Sequence, residues 1–131
     1  MRPLAARELR LEGHGSRILR SRWSPNGKLI ATASADGTAR IWSAQTGVCR
    51  ITFRRHTSPV LDVTWSKDGR RVATSSEDTS VRVWTVSNGS CFAYLKGHRG
   101  AVVGVDFSPD GARLASVSLD GTMRLWDVAA G

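Results

Sequence analysis

At 131 residues and 14.2 kDa, 40% hydrophobic and with five Trp, the chain is long enough for one ordinary domain with a real core. No apolar run approaches the roughly 18–20 residues that cross a bilayer, MRPLAARELRLEG lacks the unbroken apolar stretch of a secretory signal, and Glu8 and Glu12 argue against a transit peptide. The formal charge of +8, with sixteen Arg and only three Lys, favours acidic partners such as nucleic acid or acidic protein surfaces without choosing between them.

In chain order, AARELRLEGH at 5–14 is expected to be a strand, because it matches GVCRITFRRH at 47–56 and GSCFAYLKGH at 89–98. Leu9 falls with Ile51 and Ala93, and Leu11 with Phe53 and Leu95. SRILRSRW at 16–23 is the next strand, crowded by Arg17, Arg20 and Arg22, with Ser21 where the later copies carry Val63 and Val105. SPNG at 24–27 is a tight turn, repeated as SKDG at 66–69 and SPDG at 108–111. The last copy is the clearest. AVVGVDF is a β-branched strand, ARLASVS a second, Leu119-Asp120-Gly121-Thr122 a turn, and MRLWDV a third strand.

These elements recur with one period. Trp42, Trp84 and Trp126 are 42 residues apart, and so are His14, His56 and His98, and Asp36, Asp78 and Asp120. A fixed period in this range marks a stacked repeat architecture, and four short strands per unit select a propeller blade. The chain therefore reads as all-β. Residues 1–4 form a short extension, followed by units at 5–46, 47–88 and 89–131. Cys49 and Cys91 hold the same place in successive units and are too few for a disulfide framework, which predicts reduced, packed thiols in an intracellular protein of the cytoplasm or nucleus.

Over residues 5–131 the chain resembles the WD40-repeat β-propeller family. The resemblance is carried by Gly13-His14 and Gly97-His98, with Arg55-His56 a partial match, by the three turns above, and by Trp126-Asp127. The other two Trp-Asp positions read Trp42-Ser43 and Trp84-Thr85. The resemblance implies a hydrogen-bonded tetrad in each blade: His14, Thr32, Asp36 and Trp42; His56, Thr74, Asp78 and Trp84; His98, Ser116, Asp120 and Trp126. The chemistry suits that role, since indole N–H only donates, carboxylate only accepts, and hydroxyl and imidazole do both.

A His, a hydroxyl and an Asp in every unit also invite a hydrolase reading, but a triad needs one exposed nucleophile and an oxyanion site. Here all three histidines of the chain fall at one repeated address, so no independent general base remains. Cys49 to His56 and Cys91 to His98 span seven positions with no CxxC, which argues against zinc. Neither GxxxxGK nor GxGxxG occurs. No catalytic residue, metal or cofactor is expected.

Function then falls to the surface. The resemblance implies a partner-binding face at Arg17, Leu19 and Ala35, at Pro59, Leu61 and Glu77, and at Ala101, Val103 and Leu119. That largely apolar set suits protein docking better than a phosphate backbone, although some members could instead pack on a neighbouring blade. Arg17, Arg20 and Arg22 could hold an acidic ligand in the channel, or pair internally with Asp62 or Asp106. Propellers carry about four to eight blades, so three imply either an excerpt of a longer propeller or copies that assemble to complete a ring. The expected function is a non-catalytic platform for other proteins or peptides within a multi-subunit complex. The alternative is RNA or ribonucleoprotein binding through an Arg-rich surface.

Overall fold

The computed structural model describes residues 6–128. Eleven strands make three antiparallel sheets. Blade one runs β1 (Ile18–Trp23), β2 (Leu29–Ser34), β3 (Ala39–Ser43) and β4 (Cys49–Phe53). Blade two runs β5 (Val60–Trp65), β6 (Arg71–Ser76), β7 (Ser80–Thr85) and β8 (Cys91–Lys96). Blade three holds β9 (Val102–Phe107), β10 (Arg113–Ser118) and β11 (Met123–Asp127), and no fourth strand among the described residues. The described residues form no closed ring.

Local chemistry explains the meander. In Ser24-Pro25-Asn26-Gly27, proline presets the second position, the Gly27 amide donates to the Ser24 carbonyl at 2.9 Å, and Gly27 adopts φ 73°. Gly69 and Gly111 repeat that turn. The inner strand of every blade carries a β-bulge against its neighbour, between Ile18 and Arg20, between Val60 and Asp62, and between Val102 and Gly104. The bulge leaves one residue of the inner strand unpaired and turns its side chain out of the regular alternation.

The core lies between blades. Ala33, Ala39, Ile41 and Phe53 of blade one meet Val60, Val63, Trp65, Val72 and Trp84 of blade two. Val81 and Val83 of blade two meet Val102, Val105, Phe107 and Leu114 of blade three. Phe53 stacks on Trp84 with ring centroids 4.6 Å apart, so an outer strand of one blade locks onto the third strand of the next.

The strand expected over 5–14 requires a correction. Residues 6–14 form no strand, and residue 5 and the extension 1–4 lie outside the described residues. A strand is defined by a ladder, and among the described residues no strand pairs with this segment. The position of the segment still follows the repeat. A methyl added to Gly47 would lie 3.2 Å from Leu9, just as one added to Gly89 would lie 3.2 Å from Ile51.

Candidate functional site

Each blade contains the same polar chain, assembled from four places. The histidine comes from the loop entering the blade, the hydroxyl from the second strand, the aspartate from the turn after it, and the tryptophan from the third strand. In blade one, Trp42 Nε1 donates to Thr32 Oγ1 at 2.8 Å, His14 Nε2 lies 2.7 Å from that oxygen, and His14 Nδ1 lies 2.8 Å from Asp36. In blade two, Trp84 to Thr74 is 2.9 Å, His56 to Thr74 is 2.7 Å and His56 to Asp78 is 2.8 Å. In blade three, Trp126 to Ser116 is 2.9 Å, His98 to Ser116 is 2.7 Å and His98 to Asp120 is 3.0 Å.

Proton counting orients these chains. A carboxylate can only accept, so Nδ1 carries hydrogen and donates to aspartate. In a neutral ring Nε2 then accepts, and the Thr or Ser hydroxyl donates to it while its oxygen accepts the indole N–H. A protonated ring would aim two donors at one hydroxyl and leave the hydroxyl's own hydrogen without a partner. In blade two, burial is the main influence on His56 and pushes it below its ordinary value of 6.5, outweighing the pull of Asp78.

The aspartates are held from several sides. Burial would raise Asp36, but hydrogen bonds from Thr38, His14 and the Thr38 and Gly15 amides together hold it well below the usual carboxylate range. Asp78 is likewise lowered, with burial outweighed by Ser80 and His56. Asp120 is lowered chiefly by Thr122 and then by the Arg99 amide. Thr38, Ser80 and Thr122 are thus further members of each chain, donating to the aspartate's second oxygen. The sequence carried their signal, since all three stand two residues after a repeated aspartate, one period apart.

The arrangement resembles a catalytic relay in its order of groups, but Thr32, Thr74 and Ser116 are buried and their oxygens already hold the indole N–H. Among the described residues no group of His, Cys, Asp or Glu could hold a metal ion.

The expected partner face resolves into pairs and bulges. The backbone joins Ala35 to Arg17, Glu77 to Pro59 and Leu119 to Ala101 through amide-to-carbonyl bonds of 2.8, 3.0 and 2.9 Å. Leu19, Leu61 and Val103 are the extra residues of the three bulges, a feature that the strand pattern alone does not reveal. Arg17, Glu77, Val103 and Leu119 are exposed, Leu119 by 75%, whereas Leu19, Ala35, Pro59, Leu61 and Ala101 are half-buried.

The arginines of β1 are placed by blade two. Asp62 Oδ1 lies 3.8 Å from Arg22 and 4.0 Å from Arg20, and Oδ2 accepts the Val105 amide at 3.1 Å. One buried carboxylate thus reaches β1 on one side and β9 on the other. Asp106 stands on β9, beyond Asp62, and forms no ion pair with these arginines. Trp65 Nε1 adds a bond to the Arg22 carbonyl at 3.0 Å.

Residues 6–43, 47–85 and 89–127 match the family model described as WD domain, G-beta repeat. Among curated relatives, Periodic tryptophan protein 2 homolog of Caenorhabditis elegans is 38% identical over 48 residues, covering 37% of this chain and 5% of that protein. WD40 repeat-containing protein HOS15 of Arabidopsis thaliana is 51% identical over 37 residues, 28% of this chain and 6% of that protein. Ribosome assembly protein 4 of Chaetomium thermophilum is 43% identical over 48 residues, 36% of this chain and 9% of that protein. The matched stretch is therefore less than a tenth of each of these relatives.

Proposed function

The chain belongs to the WD40 repeat family, and we propose that it serves as a non-catalytic scaffold for proteins or peptides within an intracellular multi-subunit complex. The observation that carries this reading is the division of labour within each blade. The polar sets are satisfied internally, and the bulge and turn beside them present Val103, Leu119 and Glu77 to solvent. Rigid strands that hold apolar side chains beside a charge suit a protein surface. On this reading the tetrads are joints between strands, and Arg17, Leu19, Ala35, Pro59, Leu61, Glu77, Ala101, Val103 and Leu119 form the docking rim. The name of Ribosome assembly protein 4 supports a role in assembling complexes for that relative, and the scaffold reading extends only its general sense to this chain.

A second reading, RNA or ribonucleoprotein binding, has the charge of +8 in its favour. The two readings separate on salt and on one substitution. Leu119 is exposed, so Leu119→Glu should leave the fold intact and weaken a crosslinked protein partner by at least about tenfold. Capture that survives raised salt and is lost in Leu119→Glu supports the scaffold. Retention on RNA that collapses steeply with salt and ignores Leu119→Glu would overturn it.

A further inference from the structure

Successive blades meet through one repeated pattern. Blade one turns Ala33, Ala39 and Ile41 toward blade two, and blade two turns Ser75, Val81 and Val83 toward blade three, all fully buried. One repeat further on, Val117, Met123 and Leu125 occupy the same places on blade three, and Met123 and Leu125 are 65% and 57% exposed. At the opposite end Trp23 holds the place of Trp65, yet it is 63% exposed where Trp65 is 8%.

We propose that these two faces are complementary and that a second copy of the chain docks head to tail, placing its β1 on β9 of the first. The charges point to this occupant. Two repeats on from Arg22 stands Asp106, and one repeat before Asp62 stands Arg20. The Arg22–Asp62 pair of the first junction therefore recurs between copies with its signs reversed, Asp106 facing Arg20 of the second copy. The Trp23 indole of that copy takes the Asp106 carbonyl, as Trp65 takes that of Arg22. The junction between blades two and three has no such side-chain pair. There Gly104 stands opposite, with Asp62 Oδ2 only 3.9 Å from where a methyl would be, and the link runs through the Val105 amide. Face-to-face charge complementarity of this kind fixes partner and register more than it adds affinity. Because the contact is heterologous, it builds rings or open chains according to its rotation. It uses blade faces, not the bulge-and-turn rim, so it stands or falls separately from the docking surface proposed above.

The test is sedimentation of the 131-residue chain across concentration, with circular dichroism to check folding. The wild type should exceed its monomer mass of 14.2 kDa as concentration rises. Asp106→Arg and Arg20→Asp should each weaken association by about tenfold or more, because each sets like charges opposite one another between copies. Mixing the two variants should restore association, since both of the mixed contacts regain an opposite pair. Arg20 also neighbours Asp62, so Leu125→Glu, on the exposed face, provides a variant that leaves the chain's own junctions untouched and should likewise abolish assembly. A monomer at every concentration overturns the proposal, with the face then covered in longer chains by their own blades or by another protein. Association indifferent to Leu125→Glu, or folded charge variants that fail to recover on mixing, overturns it as well.

Discussion

Thr74 shows what a single tetrad atom does. Its oxygen takes the Trp84 indole hydrogen, and its own hydrogen goes to His56, all out of water. Thr74→Val keeps the volume and orphans both partners, so stability measured in urea should fall by about 1–3 kcal/mol. Indifference to this change would deny the tetrads a structural role. The same buried chain sets a pH dependence. Below about 6.5 the unfolded chain binds a proton at His56 that the fold resists, so stability declines as pH falls. Below about 3.8 the unfolded chain protonates Asp36, Asp78 and Asp120, whose folded values are depressed, and the decline continues. Melting temperature should therefore drop on acidification through both windows; a flat profile from pH 7 to 3 would contradict the hydrogen-bond assignments. Thr79 is strained for a different reason. It sits at φ 73° where blades one and three have Gly37 and Gly121 at 86°, and a β-branched residue is poorly suited to that region. Thr79→Gly should raise stability by about 1 kcal/mol in thermal melts, and a loss would mean that its side chain supports the turn.

At the scale of elements, the ladders hold each blade together, and side chains of the inner strands tie one blade to the next. Asp62 makes the point, because it bridges β1, β5 and β9 from a buried position. Asp62→Ala leaves the Val105 amide without an acceptor and two arginines without their carboxylate, a cost of about 1–3 kcal/mol. Asp62→Asn keeps the acceptor and should recover part of that loss in the same denaturation experiment. Equal loss in both variants would place the effect in charge alone. Arg71 works in parallel, stacked 3.4 Å over Phe92 and donating to the Val128 carbonyl at 3.3 Å, so blade two also grips blade three at the edge opposite the docking rim.

At the scale of the molecule, stability in a stacked array is a sum over blades and their junctions. Blade two has a neighbour on each side, and β6 is almost wholly buried. The strands at the two ends, β1 and β11, are largely exposed. In dilute solution, amide exchange should be slowest in β6 and fastest in β1 and β11. At concentrations where copies associate, protection should rise at both ends together. Uniform protection in dilute solution would show that the blades unfold as a single unit.

Much of this was legible in the sequence, because a period copies local rules. Turn chemistry at Ser24-Pro25-Asn26-Gly27, β-branched strands and the spacing of His, Asp and Trp are short-range properties, and the residues alone set the three-blade plan. Thr38, Ser80 and Thr122 could have been read from the same register. Other features depend on what stands beside an element in space. The segment 6–14 has the composition of a strand and the place of one, but a ladder takes two strands and none of the described strands pairs with it. The bulges that single out Leu19, Leu61 and Val103 arise from mismatched pairing, which no single strand encodes. Asp62 was only one of two possible partners for the β1 arginines until the packing of β5 between β1 and β9 chose it, because an ion pair is decided by distance through space.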